Sequence, residues 1–99
     1  MKGIVHIRID DRLIHGQVAA FWTNSLSISR IMVVNDEVAV DEMQKSLLRM
    51  VAPASVRTSI ISKETAIKNI SAGKYEGQRV LLIVKNPKDI WELKQAGLD

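Results

Sequence analysis

The sequence predicts an α/β domain, an open and mostly parallel sheet with helices on both faces, Rossmann-like and built from four βα units in this chain. Three observations carry that expectation. Four apolar, β-branched runs begin at Ile4, Arg30, Val56 and Val80, spaced by 26, 26 and 24 positions. A segment with a 3.6-residue apolar period follows each run. Two of the runs, Ile31-Met-Val-Val34 and Val80-Leu-Leu-Ile-Val84, are apolar at every position, as strands covered on both faces are.

The elements follow in order. Ile4–Ile9 reads as the first strand, and Val18, Trp22 and Leu26 mark the helix after it. Arg30–Asn35 is the second strand, followed by a helix with apolar positions Val40, Met43, Leu47 and Met50. Asp41, or Asn35-Asp36 just before it, supplies the cap of that helix, and Pro53 stops it. Val56–Ile61 is the third strand; Ser62, Glu64 and Thr65 open a helix through Ala66, Ile67 and Ile70 that Ala72-Gly73 closes. Val80–Lys85 is the fourth strand. Asn86 as cap and Pro87 at the first helical position start the last helix, through Ile90 and Leu93, which Gly97 ends. A further strand is expected after Leu98-Asp99, since four strands leave an edge uncovered; the domain reads as cut short, and the bare edge makes a homodimer a possible arrangement.

Ninety-nine residues suit one domain, taken as 1–99. The 46% hydrophobic content and mean hydropathy of +0.03 are ordinary for a water-soluble chain. No apolar run approaches the roughly 18–20 residues of a membrane span, and the N-terminus lacks signal-peptide architecture. There is no cysteine, which excludes disulfides, thiolate chemistry and Cys-based zinc sites and fits a cytosolic setting. The net charge is +3, but the basic residues are scattered and the four aromatics, Phe21, Trp22, Tyr75 and Trp91, do not alternate with them. Nucleic-acid binding is therefore not expected, and an acidic or phosphate-bearing partner accounts for the charge as well. Neither a Gly-x-x-x-x-Gly-Lys-Ser/Thr nor a Gly-x-Gly-x-x-Gly loop is present.

The chemistry concentrates in Arg8-Ile-Asp-Asp-Arg-Leu-Ile-His15-Gly-Gln-Val18. This stretch runs from a strand into a helix start, where parallel sheets gather functional groups. It places His15 between arginines and aspartates just ahead of free helical N–H donors. An imidazole is nucleophilic when neutral and leaves well when protonated near pH 7, so it suits phosphoryl carriage. Arg12, in the same loop, is the better phosphate ligand. Arg8 lies within the strand on the face of His6, and can reach the loop or pair with Asp10. Gly16 permits close approach of a phosphate, and Gln17 and Val18 supply first-turn N–H groups. Asp10 or Asp11 can fix the imidazole tautomer, or can simply be turn residues. Asn35 and Asp36 end the second strand on the same sheet edge and can face His15 or cap a helix; Lys85-Asn86-Pro87 ends the fourth there too. Trp22 and Trp91 read as packing residues and His6 as structural. Two arginines within four residues oppose a cation, so no metal is expected.

This loop resembles the active-site loop of the IIB component of the mannose/fructose/sorbose family of the bacterial phosphotransferase system (PTS). Val33-Val-Asn-Asp36, Asp41-Glu-Met-Gln-Lys45 and Lys85-Asn-Pro-Lys-Asp89 are similar to that family as well. The resemblance covers essentially all 99 residues, and the family domain continues beyond them, so the chain corresponds to its N-terminal part. It implies a phosphocarrier subunit, a protein-Nπ-phosphohistidine–sugar phosphotransferase component that needs no cofactor. His15 would accept a phosphoryl group, at the nitrogen Nδ1, from the phosphohistidine of a IIA domain charged by HPr. It would pass the group to a sugar with the membrane components IIC and IID. The location implied is cytoplasmic, peripheral to the inner face of the membrane through these partners. Three other readings of the chain are a phosphate-responsive regulatory module, a generic Rossmann-like ligand-binding fragment without phosphohistidine, and an inactive folding fragment.

Overall fold

The computed structural model of the chain describes residues 3–14 and 16–97. Four strands, β1 (Ile4–Ile9), β2 (Arg30–Val34), β3 (Arg57–Ile61) and β4 (Val80–Val84), form one all-parallel sheet in the order β1-β4-β2-β3. The helices are α1 (Gly16–Leu26), α2 (Asp36–Ala39), α3 (Glu42–Val51), α4 (Lys63–Ser71) and α5 (Pro87–Gln95). The expected strands are all present, and the two that are apolar throughout are the two central ones.

Burial explains the layering. Ile31, Val33, Leu81 and Ile83 point to one face, where they pack with Ala19 of α1, Val38 of α2 and the partly buried Leu48 of α3. Met32, Val34, Val80, Leu82 and Val84 point to the other, against Ala66 and Ile70 of α4 and Leu93 of α5. Handedness fixes which helix goes where. The steps β1→β2 and β2→β3 run in one direction along the sheet and β3→β4 runs back. Right-handed crossovers then place α1 to α3 on one face and α4 on the opposite one. The chain thus leaves the neighbouring strands β1 and β4 toward opposite faces, which opens a crevice at their carboxyl ends.

A register shift between Ile4 and His6 inserts Val5 as an extra residue in β1. Beyond it, His6 and Arg8 align with Leu81 and Ile83 on the α1 face, and Ile7 aligns with Leu82 on the other. At the strand's start Gly3 has φ +87°, and a Cβ there would lie 2.0 Å from the Tyr75 carbonyl oxygen, so no other residue fits.

The segment after β2 departs from the expected single helix. Both candidate caps are used: Asn35 Oδ1 accepts from the Val38 N–H at 2.9 Å and Asp41 Oδ1 from the Gln44 N–H at 3.1 Å. Two caps six residues apart split the segment into α2 and α3. The Asp41 carboxyl is held below the usual carboxylate range, chiefly by the Gln44 side-chain amide and then by its backbone N–H. Val40, Met43, Leu47 and Met50 do not face the sheet; they are 84, 75, 57 and 79% exposed, and Leu48 and Ala52 make the contact with the core. The remaining caps match the sequence: Ser62 accepts from Thr65 N–H and Asn86 from Asp89 N–H, with Pro87 at the first position of α5. Trp91 is 60% exposed rather than packed.

Lys63 ties three helices together. Its Nζ contacts Glu92 and lies 3.4 Å from Asp89 on α5 and 3.8 Å from Asp36 on α2. Hydrogen bonding to Glu92, then to Asp89, raises the Lys63 pKa above its ordinary 10.5, against the opposing effect of burial. A cation with a raised folded-state pKa stabilises fully below the unfolded value and loses that contribution as pH climbs through the folded one. Urea unfolding should therefore show a stability gap between the wild type and Lys63→Met that is constant up to about pH 9 and shrinks above 10.5. A gap that widens there would refute the assignment. Leu82→Ala, at a fully buried position, should cost about 2–5 kcal/mol. Met50→Ala, at an exposed one, should stay within about 0.5 kcal/mol.

Candidate functional site

The loop after β1 is built by a turn and two anchors. The Asp10 N–H donates to Val84 O at 2.9 Å, extending the ladder one residue past the strand. The chain then folds back, with the Leu13 N–H donating to Asp10 O at 2.9 Å and the Arg12 N–H to Asp10 Oδ1 at 2.9 Å. Asp10 is thus the turn residue of the loop. Leu13 has φ +61°, a left-handed conformation that costs a leucine roughly 1–2 kcal/mol. Its side chain and that of Ile14 are buried in the α1-face core, and burying each contributes roughly 1.5–3 kcal/mol, enough to hold the strained backbone. The anchors immediately precede position 15. They are the part of the site that the sequence reading passed over, although two apolar residues inside a charged loop are a visible signal.

His15, the candidate carrier, lies outside the described residues. The residues that follow it in sequence are described. Gly16 begins α1, and the first N–H groups of a helix have no partner within it. The backbone at Gly16 has ordinary φ, and an added Cβ would meet only Val51 O, at 3.6 Å, so the fold itself does not demand a glycine there. Gln17 is exposed.

The arginines are placed differently. Arg12 extends from the loop with its side chain 65% exposed and its Nε 3.9 Å from Asp10 Oδ1. Arg8 holds its guanidinium 5.4 Å from the Trp22 ring centroid, and Trp22 in turn stacks on His6 at 4.4 Å. Trp22 is thus a packing residue, as expected, and so is His6.

Asp11, Arg12 and Leu13 line a cleft of about 180 Å³ together with Val38, Gln44, Leu47, Leu48 and Lys85. Two cations and one carboxylate meet there, across the crevice between the ends of β1 and β4. Lys85 is a second cation on this edge, placed by the end of β4. Asn35 and Asp36 lie instead in a neighbouring hollow of about 300 Å³ that also includes Glu37, Lys63, Asn86 and Asp89, with Lys85 on the shared rim. Both have structural work there: Asn35 caps α2, and Asp36 Oδ1 accepts from the Lys63 N–H at 2.8 Å. The structure therefore brings Asp11 and Arg12 together, sets Arg8 on Trp22, and commits Asp10, Asn35 and Asp36 to turn and cap bonds.

Among the described residues, no helix is long and apolar enough to cross a membrane. Comparison with known proteins gives one family. A family model described as the PTS system sorbose subfamily IIB component matches residues 4–99. The fructose-specific EIIB component of Bacillus subtilis is 43% identical over 98 residues, covering 99% of this chain and 60% of that protein. The mannose-specific EIIAB component of Escherichia coli is 47% identical over 91 residues, covering 92% of this chain and 28% of that one. The crystal structure of the IIBSor domain of the sorbose permease from Klebsiella pneumoniae superposes with a TM-score of 0.90 at 35% identity, over 100% of this chain and 60% of its own. The chain spans 60% or less of the length of these relatives. A parallel sheet with helices on both faces, a strained loop feeding α1 beside an arginine-bearing cleft, and a match over nearly every residue agree: the chain belongs to the sorbose-subfamily IIB components of the phosphotransferase system.

Proposed function

We propose that this chain is a phosphocarrier. His15 accepts a phosphoryl group from the phosphohistidine of a IIA domain, itself charged by HPr, and delivers it to an incoming sugar together with the membrane components IIC and IID. The observation that carries the reading is the rigid mounting of the loop: Leu13 and Ile14 are sunk in the core directly before position 15, while Arg12 stays in the open cleft beside it. A carrier must present one side chain to two successive partners in a fixed pose, and a backbone anchored by burial of Leu13 and Ile14 suits that requirement. Family membership supports the phosphotransfer role and the partner types. The setting proposed is cytoplasmic, at the membrane surface through those partners.

The chemistry follows from the groups at hand. A neutral imidazole attacks phosphorus in line, through Nδ1 in this proposal. The bond from phosphorus to the donor nitrogen breaks as the bond to His15 forms; the donor imidazole departs with that electron pair and takes up a proton, and the phosphorylated His15 ring gives up the proton on its other nitrogen. Arg12, with the free N–H groups at Gly16 and Gln17, neutralises the equatorial oxygens. Gly16, which packing does not require, keeps the backbone open to those oxygens. Arg8 acts one layer back, its charge held over Trp22 near the loop. Asp11 borders the cleft and is the carboxylate available to orient the ring. Asn35 and Asp36 support the site by holding its neighbouring loops.

Single-turnover transfer from a radiolabelled phosphorylated IIA protein tests the scheme. Wild-type chain should acquire acid-labile, base-stable label, and His15→Ala none; label persisting on the variant would reject His15 as the carrier. Arg12→Ala should slow transfer by about 10²–10³-fold, whereas Lys45→Ala, whose Nζ lies 3.5 Å from Glu42, should change it little. Equal rates in the two variants would reject the arginine's role.

A further inference from the structure

The helix α3 is the anomaly of the molecule. None of its residues is buried, and it exposes Met43, Leu47 and Met50, spaced i, i+4, i+7, with Val40 before them and Val51 at its end. Exposed large apolar side chains are normal when scattered. Here five share one helix face or its ends, on the element that borders the loop. Gln44, Leu47 and Leu48 line the cleft with Arg12, and the Val51 carbonyl approaches Gly16. The apolar stripe therefore runs alongside the loop from the cleft to the start of α1.

We propose that this stripe is the surface on which the phosphoryl-donor protein seats itself: an apolar centre on the donor covers Met43, Leu47 and Met50, while donor carboxylates meet Arg12, Arg49 and Lys85. The inference rests on the carrier reading above. Two arguments select this occupant. First, a donor that carries its phosphoryl group on a side chain must bring that group to the loop, so its surface has to cover whatever flanks the loop, and the flank is the stripe. Second, the charge around the stripe suits an acidic partner. Glu42 pairs with Lys45 and Asp41 is bound to Gln44, while Arg12, 3.9 Å from Asp10 but with its side chain 65% exposed, stands beside Lys85 on the cleft, and Arg49 is exposed on α3 itself. A second copy of the chain in a two-fold contact would set those same cations against themselves.

The test compares two donors on the full chain. Phosphorylated IIA protein has to dock; phosphoramidate, a small phosphoryl donor, does not. The double variant Met43→Glu/Met50→Glu alters exposed positions outside the cleft. It should slow transfer from phosphorylated IIA protein by about tenfold or more, while labelling by phosphoramidate stays within about twofold of wild type. Arg49→Glu should act in the same sense and reduce the salt dependence of the IIA reaction. Unchanged transfer from IIA protein would overturn the docking surface alone. So would a wild-type dimer in sedimentation that the double variant dissociates with its IIA rate intact, or a defect confined to delivery of the label to sugar by IIC/IID membranes. Failure of both donors to label the wild type would overturn the carrier reading and, with it, this inference.

Discussion

Everything in this fold depends on burying two strands that have no polar face. β2 and β4 are apolar at nearly every position, so each must be covered on both sides, and a chain of this size meets that demand only by wrapping helices around a parallel sheet. Right-handed crossovers then leave one outcome for the reversal between β3 and β4: helices on the second face, and a crevice where the chain departs β1 and β4 in opposite directions. The loop between β1 and α1 sits on that crevice as a result of packing, before any chemistry is considered.

Strands, sheet centre and caps were legible because each rests on a local rule with little competition. Asn86-Pro87, Ser62 and Gly73 act where their residue types act in any protein. The helix after β2 was harder. Asn35 and Asp41 are equally good caps, and an apolar period cannot say whether two caps compete or act in turn; both act, and the helix breaks at Val40. The same period suggested a buried face in α3. Periodicity reports that a face is apolar, not what covers it, and here the sheet takes only Leu48 and Ala52.

The cleft was legible in which residues it gathers and less so in what each of them bonds to. Composition of the loop singled out its charged groups, and the cleft does gather Arg12 and Asp11. It could not separate Asp10, bound to the Arg12 amide, from Asp11, nor foresee that Arg8 would lie on Trp22, because side-chain partners reached across an element leave no trace in spacing. Lys85 enters the cleft for a topological reason: it follows β4, and β4 lies next to β1 although the positions directly after the two strands, Asp10 and Lys85, are far apart in sequence.

The left-handed backbone at Leu13 makes the two apolar layers unequal. The layer under α4 and α5 serves cohesion only, so trading one aliphatic residue for another there adjusts how firmly the molecule holds together. The layer under α1 is also a pedestal. Ile83, Val33 and Ala19 share a cluster with Leu13 and Ile14, and a change of shape among them tilts the platform from which the loop projects. Drift in that layer is filtered twice, once for cohesion and once for aim, and a well-folded variant can still point its loop the wrong way.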